Sequence, residues 1–178
     1  MADPRVPIDV DPSTGIWTTD GLPMIYMPRH FFMNYYCAMD AALGREQHRA
    51  MLYAASHKSA VQWAAAEAGT HGLRDVAVFQ HYLSRLSQRG WAQLTLLSVE
   101  LDGPAGPSAR VRADHSAFAL HLGRTGQTEC AMFAGSLAGC LEWAASDAGR
   151  PTTMTAVETH CMAQGHDHCT FAVRPSSD

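Results

Sequence analysis

The stretch Glu158-Thr-His-Cys161-Met-Ala-Gln-Gly165-His-Asp-His-Cys169-Thr-Phe171 places one carboxylate and two thiols around a glycine turn. β-forming residues flank it, Thr152 to Cys161 before the turn and Cys169 to Arg174 after it. The pattern predicts a hairpin whose turn at Gly165 returns Cys169 beside Glu158 and Cys161. Two thiolates and a carboxylate around one point suit a borderline-soft cation, with zinc the first choice.

Three ligands leave a tetrahedral ion one short. Upstream, apolar periodicity predicts a helix over about Thr128 to Ala148, with Cys130 in its first turn and Phe133, Ala134 and Leu137 on the same stripe. That thiol is expected to point inward, which makes Cys130 the best fourth ligand. Cys140 lies nearly three turns further on, and Cys37 sits on an aromatic helix near the N-terminus. His160, His166 and His168 are competent rivals. His160 alternates awkwardly with Glu158 and Cys161, while His166 and His168 sit in or beside the turn, where they face water more naturally. The plain alternative is that Cys161 and Cys169 are buried small hydrophobes. Three thiolates and one carboxylate would form a closed set, which belongs to a structural ion and leaves no position for a reactive water. Such an ion would tie the hairpin to the start of the helix.

Working outward, the first half reads as helical. Met1 to Leu22, with Pro4, Pro7 and Pro12, is expected to be an extended N-terminal arm, and Met24 to Met27 a short strand stopped by Pro28. Helices follow over about Arg29 to Gly44, Arg45 to Ala68 (stopped by Gly69) and Arg74 to Gln88. The period then shortens to that of strands over Trp91 to Leu101 and Ala109 to Leu120, joined by Asp102 to Pro107 and paired antiparallel. The fold class is α/β (α+β): a layer of about four helices against an antiparallel sheet of about four strands, ending in the zinc-bound hairpin. Residues 1–22 form the arm, 23–174 one domain and 175–178 a tail. Ala131, Gly135 and Gly139 make a small-residue ridge that lets another helix approach, within the chain or across a dimer.

Composition narrows the function. The 178 residues are 47% hydrophobic and 17% charged, with a net charge of −4, and the arginines are scattered singly, so no basic stripe offers itself to nucleic acid. No apolar run approaches the ~20 residues of a membrane span, and the first ~25 residues lack the order of a secretory signal, so a cytoplasmic protein is expected. Five cysteines there are reduced thiols, and the odd number disfavours a complete disulfide framework. There is no Gly-rich phosphate loop, Gly-x-Ser-x-Gly elbow or Ser/His/Asp set.

The run Cys130-x4-Gly135-x3-Gly139 followed by Glu158-x2-Cys161-x3-Gly165-x3-Cys169-x-Phe171 resembles the C-terminal half of the 4-vinyl-reductase domain family. That family is named after a bacteriochlorophyll-biosynthesis protein and includes the sensor domains of phenol- and xylene-responsive activators. Pro28-Arg29-x-Phe31, Leu43-Gly44, Leu52-Tyr53 and Arg89-Gly90-Trp91 are similar to it as well, so the likeness spans about residues 24 to 174. The resemblance implies a fold shared with trafficking-complex subunits and haem nitric-oxide sensors, a homodimer, and an apolar pocket for a small organic ligand. It also implies zinc held by Cys130, Glu158, Cys161 and Cys169. The segment Leu141 to Val157 is longer than in the phenol sensors, and no ATPase or DNA-binding domain is attached, so a transcriptional activator of that type is not expected.

An aromatic stripe is by itself core. The resemblance makes Phe32, Tyr36, His57, Trp91, His115 and Phe133 candidates for lining the pocket, with the two histidines available to a ligand hydroxyl or carboxylate. The leading functional reading is a cytoplasmic, zinc-stapled homodimer enclosing a small hydrophobic or aromatic molecule as a sensor, carrier or accessory factor. The alternative is an enzyme of the same fold, a tetrapyrrole 4-vinyl reductase-like protein or a small zinc-dependent hydrolase. The lack of a nucleotide or flavin fingerprint counts against a self-sufficient reductase. A third reading is an assembly subunit whose pocket its own side chains fill.

Overall fold

Glycine and proline punctuation divides the helical half of the chain. Pro28, extended at φ −63°, precedes helix α1 (Arg29–Leu43), and Gly44 at φ +79° separates it from helix α2 (Arg45–His71). In this computed structural model, which describes residues 6–177, α2 runs through Gly69 and stops only at Gly72, whose left-handed backbone caps it. The glycine at 69 is tolerated as a helical residue, and the stop comes three residues later than the sequence reading placed it. Helix α3 (Asp75–Gln88) follows, buried along Val78, Phe79, Tyr82 and Leu86.

The main sheet is formed by β4 (Gln93–Glu100), β5 (Ser108–Asp114), β6 (Met154–His160) and β7 (Cys169–Pro175), in the order β4-β5-β7-β6 with every pair antiparallel. The strand expected over Ala109 to Leu120 ends early. His115 takes φ +57°, and Ser116 caps a short helix α4 (Ala117–Leu122) by accepting the Ala119 amide with its hydroxyl.

Helix α5 (Ala131–Asp147) lies between α2 and the sheet and is buried nearly all round, as a helix apolar on every face must be. The Gly135–Gly139 ridge serves α2 of the same chain. A Cβ on Gly135 would stand 2.2 Å from the Tyr53 carbonyl oxygen, and one on Gly139 2.2 Å from that of His57. Phe118, Phe133, Leu137, Leu141, Val111 and Phe171 fill the space between helix and sheet, each fully buried and each stabilising by about 1.5–3 kcal/mol.

The N-terminal segment is paired as well as extended. β1 (Asp9–Val10), β2 (Trp17–Thr19) and β3 (Leu22–Met24) make a three-stranded antiparallel sheet. Asp20-Gly21, at φ +53° and +79°, turns β2 into β3, a two-residue hairpin signal within the segment read as an arm. Met1 to Arg5 of that arm, and Asp178 of the tail, lie outside the described residues. Among the described residues no helix is long and apolar enough to cross a membrane.

Candidate functional site

Strand parity alone would put Glu158 and Cys161 on opposite faces, since three is an odd spacing. A bulge removes the conflict. The register of β6 against β7 shifts between Glu158 and His160, where the Thr159 hydroxyl donates to the Thr170 carbonyl. The extra residue brings Glu158 and Cys161 to one side. The chain then makes a single 3-10 turn, Met162–Gln164, and reverses at Gly165, whose φ of +103° a side chain would strain. Cys169, the first residue of β7, closes the hairpin.

Cys130 caps the N-terminus of α5 from above this hairpin. One ligand atom each from Cys130, Glu158, Cys161 and Cys169 falls within 4.8 Å of all the others. The sulfurs of Cys130 and Cys169 are 3.8 Å apart and those of Cys169 and Cys161 3.7 Å. These are too long for a disulfide, and all the cysteines are free. They match the edge of a tetrahedron with zinc–sulfur bonds of ~2.3 Å, which is about 3.8 Å. The three thiols are fully buried.

The surroundings orient each donor. The Cys130 amide donates to Glu158 Oε2 at 2.9 Å, the Ser116 hydroxyl lies 3.1 Å from the Cys130 sulfur, and the Met162 amide donates to Cys169 Sγ at 3.4 Å. The loop before Cys130 is fastened to α2: Arg45 pairs with the buried Glu129, and Arg49 donates to the Thr128 carbonyl and hydroxyl. Glu158 Oε1 is buried with no hydrogen-bond partner. That orphaned acceptor and the tetrahedral spacing are the two observations that fit a cation.

Without a cation the four acids frustrate one another. Burial pushes the Glu158 carboxyl up to about 8, helped by the neighbouring Cys161 thiol. Cys161 is pulled down by hydrogen bonds from the Cys130 and Cys169 thiols, and Cys130 is held up by its bonds to Cys161 and Cys169 and by burial. Cys169, although a bond from Cys130 lowers it, is held up by its bond to Cys161 and by burial. The rival histidines stand apart. His160 and His166 are exposed, with their rings edge-on at 4.8 Å, and His168 faces Asp167 at 2.5 Å.

A cavity of about 290 Å³ opens between α1, α2, α3 and α5, lined mainly by Phe32, Leu52, Trp63, Tyr82, Leu86 and Trp91. Polar groups enter it from Ser56, Ser136 and Arg89. Trp63 Nε1 and Arg89 Nε and Nη2 are buried donors without partners, and the Arg89 guanidinium stands 5.7 Å over the Trp63 ring. Burial pushes the Tyr82 phenol up, so it is a neutral hydroxyl here.

Of the six aromatic and histidine candidates, Phe32 and Trp91 border this cavity. Tyr36 is buried against Phe118 and His48, and Phe133 fills the core between Phe118 and Phe171. His57 turns to Glu142 at 3.2 Å, and His115 is exposed at the bend after β5. Trp63 was visible in the sequence as an aromatic. Arg89, at the C-terminal cap of α3, enters the sequence reading only within the family-like Arg89-Gly90-Trp91, with no role attached to it.

Three solved structures share the architecture. The phenol-responsive sensory domain of the transcription activator PoxR, crystallised with phenol, superposes with a TM-score of 0.79 at 19% identity, covering 94% of this chain and 84% of that one. A vinyl-4-reductase family protein from Methanocaldococcus jannaschii gives 0.54 at 15% identity over 86% of this chain and 85% of that one. A trafficking protein particle complex subunit 3 from Naegleria fowleri, covalently bound to palmitic acid, gives 0.53 at 10% over 84% and 95%. The fold implied by the cysteine motif is therefore the fold observed. No curated protein sequence matches the chain. A family model does, over residues 2–97, and by that match the chain belongs to the family of the domain of unknown function DUF5943.

Proposed function

We propose that this protein is a zinc-stapled binding domain for a small aromatic or hydrophobic molecule that carries one hydrogen-bond acceptor. The observation that carries the reading is that Trp63 and Arg89, which line a mainly apolar cavity, hold buried donors without partners, Trp63 Nε1 and Arg89 Nε and Nη2. A buried donor left unpaired costs about 1–3 kcal/mol, and a phenolate, carboxylate or carbonyl entering the cavity would remove that cost. The volume of about 290 Å³ exceeds the roughly 150 Å³ that holds benzene in an engineered protein cavity, so a substituted single ring has room. The phenol held by the PoxR sensory domain, whose fold this chain shares, supports the same ligand class.

Cys130, Glu158, Cys161 and Cys169 hold the zinc in this reading. Four protein donors leave no position for water, so the ion joins β6, β7 and α5 and takes no part in turnover. The protein acts as a cytoplasmic homodimer, a sensor or carrier without chemistry of its own. Phe31 and Tyr35, 62% and 58% exposed on the outer face of α1, support a covering second copy.

Native mass spectrometry of the purified protein tests the reading, reporting zinc count, subunit number and retained small molecule together. Thermal melts with benzoate, phenol and toluene then test the pocket. The melting temperature should rise with the logarithm of benzoate or phenol concentration above the dissociation constant, and less with toluene. If none of the three raises it, ligand binding fails and the assembly-subunit reading takes its place.

A further inference from the structure

We propose a second divalent-metal site where the N-terminal sheet meets the helical layer, built from Asp20, Glu67, His71 and His81. Glu67 and His71 are four apart on the last turns of α2 and so share a face. α3 supplies His81, and the β2–β3 turn supplies Asp20. One ligand atom from each of the four lies within 4.8 Å of all the others. His81 Nε2 is 2.7 Å from Glu67 Oε2, and His71 Nε2 is 3.4 Å from the same oxygen and 3.5 Å from Asp20 Oδ1. The two longer separations match the edge of a tetrahedron with metal–ligand bonds of ~2.0–2.1 Å, about 3.4 Å. The shortest is a hydrogen bond that an entering ion would open.

Glu67 points to an ion independently of that spacing. Its side chain is fully buried, and Oε1 has no hydrogen-bond partner. A buried carboxylate needs positive charge or a proton to offset its desolvation, and although Arg89 acts on Glu67 through space, neither Glu67 Oε1 nor Arg89 Nε and Nη2 has a hydrogen-bond partner. Arg85 Nη2 donates to Asp20 Oδ2 at 2.7 Å, which fixes that carboxylate and leaves Oδ1 turned to the cluster. Trp63 stacks on the His81 ring at 5.5 Å and 21°, holding it in place. Two imidazoles and two carboxylates, with no sulfur, suit zinc or cobalt and do not suit magnesium, which wants an oxygen octahedron.

The two sites are distinct. Arg49, which fastens the loop before Cys130, and His71 are 22 residues apart on α2, a separation of about 33 Å along the helix. An ion in the second site would fasten residues 9–24 to α2 and α3, joining the two sheets of the molecule through the helical layer. The inference does not depend on the ligand-binding reading.

Cobalt(II) titration of the full-length, zinc-loaded protein tests it. Wild-type protein should take up a further equivalent, with visible d–d bands that lack thiolate-to-cobalt charge transfer. His71→Ala and His81→Ala should each weaken that equivalent by more than the roughly 10–100-fold that a lost outer-shell partner costs, while the zinc already bound is retained. Hydrogen exchange on the wild-type protein gives a readout independent of variant folding, since amides of residues 17–24 should slow when cobalt is added. No further equivalent in the wild type overturns the proposal. Uptake that persists undiminished in the two histidine variants, or unchanged exchange at residues 17–24, overturns it too.

Discussion

The C-terminal cluster and the helical cavity both bury polar atoms without partners, and the atoms are of opposite kinds. At the C-terminal cluster the orphan is an acceptor, Glu158 Oε1, among three thiols. In the helical cavity the orphans are donors, the Trp63 indole and the Arg89 guanidinium. An orphaned acceptor in an acidic cluster asks for a cation, and orphaned donors in an apolar cavity ask for an acceptor with an apolar body. The occupants differ in consequence as well. In the proposed reading zinc joins α5 to β6 and β7, so losing it costs the fold, whereas the cavity lies among helices that pack without a ligand.

The sharpest break of that contrast is Cys161→Ser. Structural zinc contributes about 10–16 kcal/mol in zinc-finger peptides, comparable to or above the ~5–15 kcal/mol of a whole domain. The variant should lose its zinc, read by elemental analysis, together with most of its folded population, read by circular dichroism. A metal-free Cys161→Ser protein that melts as the wild type does would end the staple reading.

Next in size is the wall the two regions share. Gly139→Ala places a Cβ 2.2 Å from the His57 carbonyl oxygen, a backbone atom that cannot swing aside. α2 and α5 must separate, at a cost of about 1–3 kcal/mol or more in a denaturant melt. Gly135→Ala should behave similarly, because Tyr53 O stands at 2.2 Å and Ser56 Oγ at 2.3 Å. A neutral result at either position would mean that the helices have slack, and the cavity volume would then be no guide to ligand size.

The regions also differ in how far the sequence revealed them. Glu158, Cys161 and Cys169 are close in the chain and a glycine turn gathers them, so spacing and donor chemistry sufficed, and Cys130 followed from the inward stripe of its helix. The bulge at Thr159 was not legible, because nothing in Thr-His announces an extra residue. The cavity draws on α1, α2, α3 and α5, and which aromatics border it is settled by helix packing that no local pattern encodes. Hence Phe32 and Trp91 reach it, while Tyr36 and Phe133 are taken by the core. The N-terminal sheet was legible in principle from Asp20-Gly21. The prolines around it drew the reading towards an unpaired arm. The strand end at Asp114 had a similar sign in Ser116, a helix cap concealed by the apolar run Ala117 to Leu120 that follows it.

A smaller effect is expected at Arg89. Replacing it by Gln removes a charged donor from the cavity, and hydrogen bonds to charged groups contribute about 1.5–3 kcal/mol. Benzoate affinity should fall by about 10–100-fold in a calorimetric titration, with toluene affinity unchanged. Equal losses for both would assign Arg89 a packing role and remove the acceptor from the description of the ligand.

Trp63→Phe should move stability least, and for a reason that separates the two regions most cleanly. The indole N–H has no partner in the ligand-free protein, so deleting it relieves a desolvation cost of about 1–3 kcal/mol. The smaller ring gives back part of the gain as lost contact with Tyr82 and His81, whose rings lie 4.8 Å and 5.5 Å away. The two terms oppose each other, and the free protein should unfold within about 1 kcal/mol of the wild type. Benzoate should bind more weakly, since the donor that met it is gone. Toluene should bind about as well or better. If zinc is held as proposed, no substitution at Cys130, Glu158, Cys161 or Cys169 should behave in this way, because each donor there is used by the fold. If Trp63→Phe destabilises the free protein by several kcal/mol, the indole N–H has a partner already, most simply an ordered water, and the cavity's requirement for an acceptor falls on Arg89 alone.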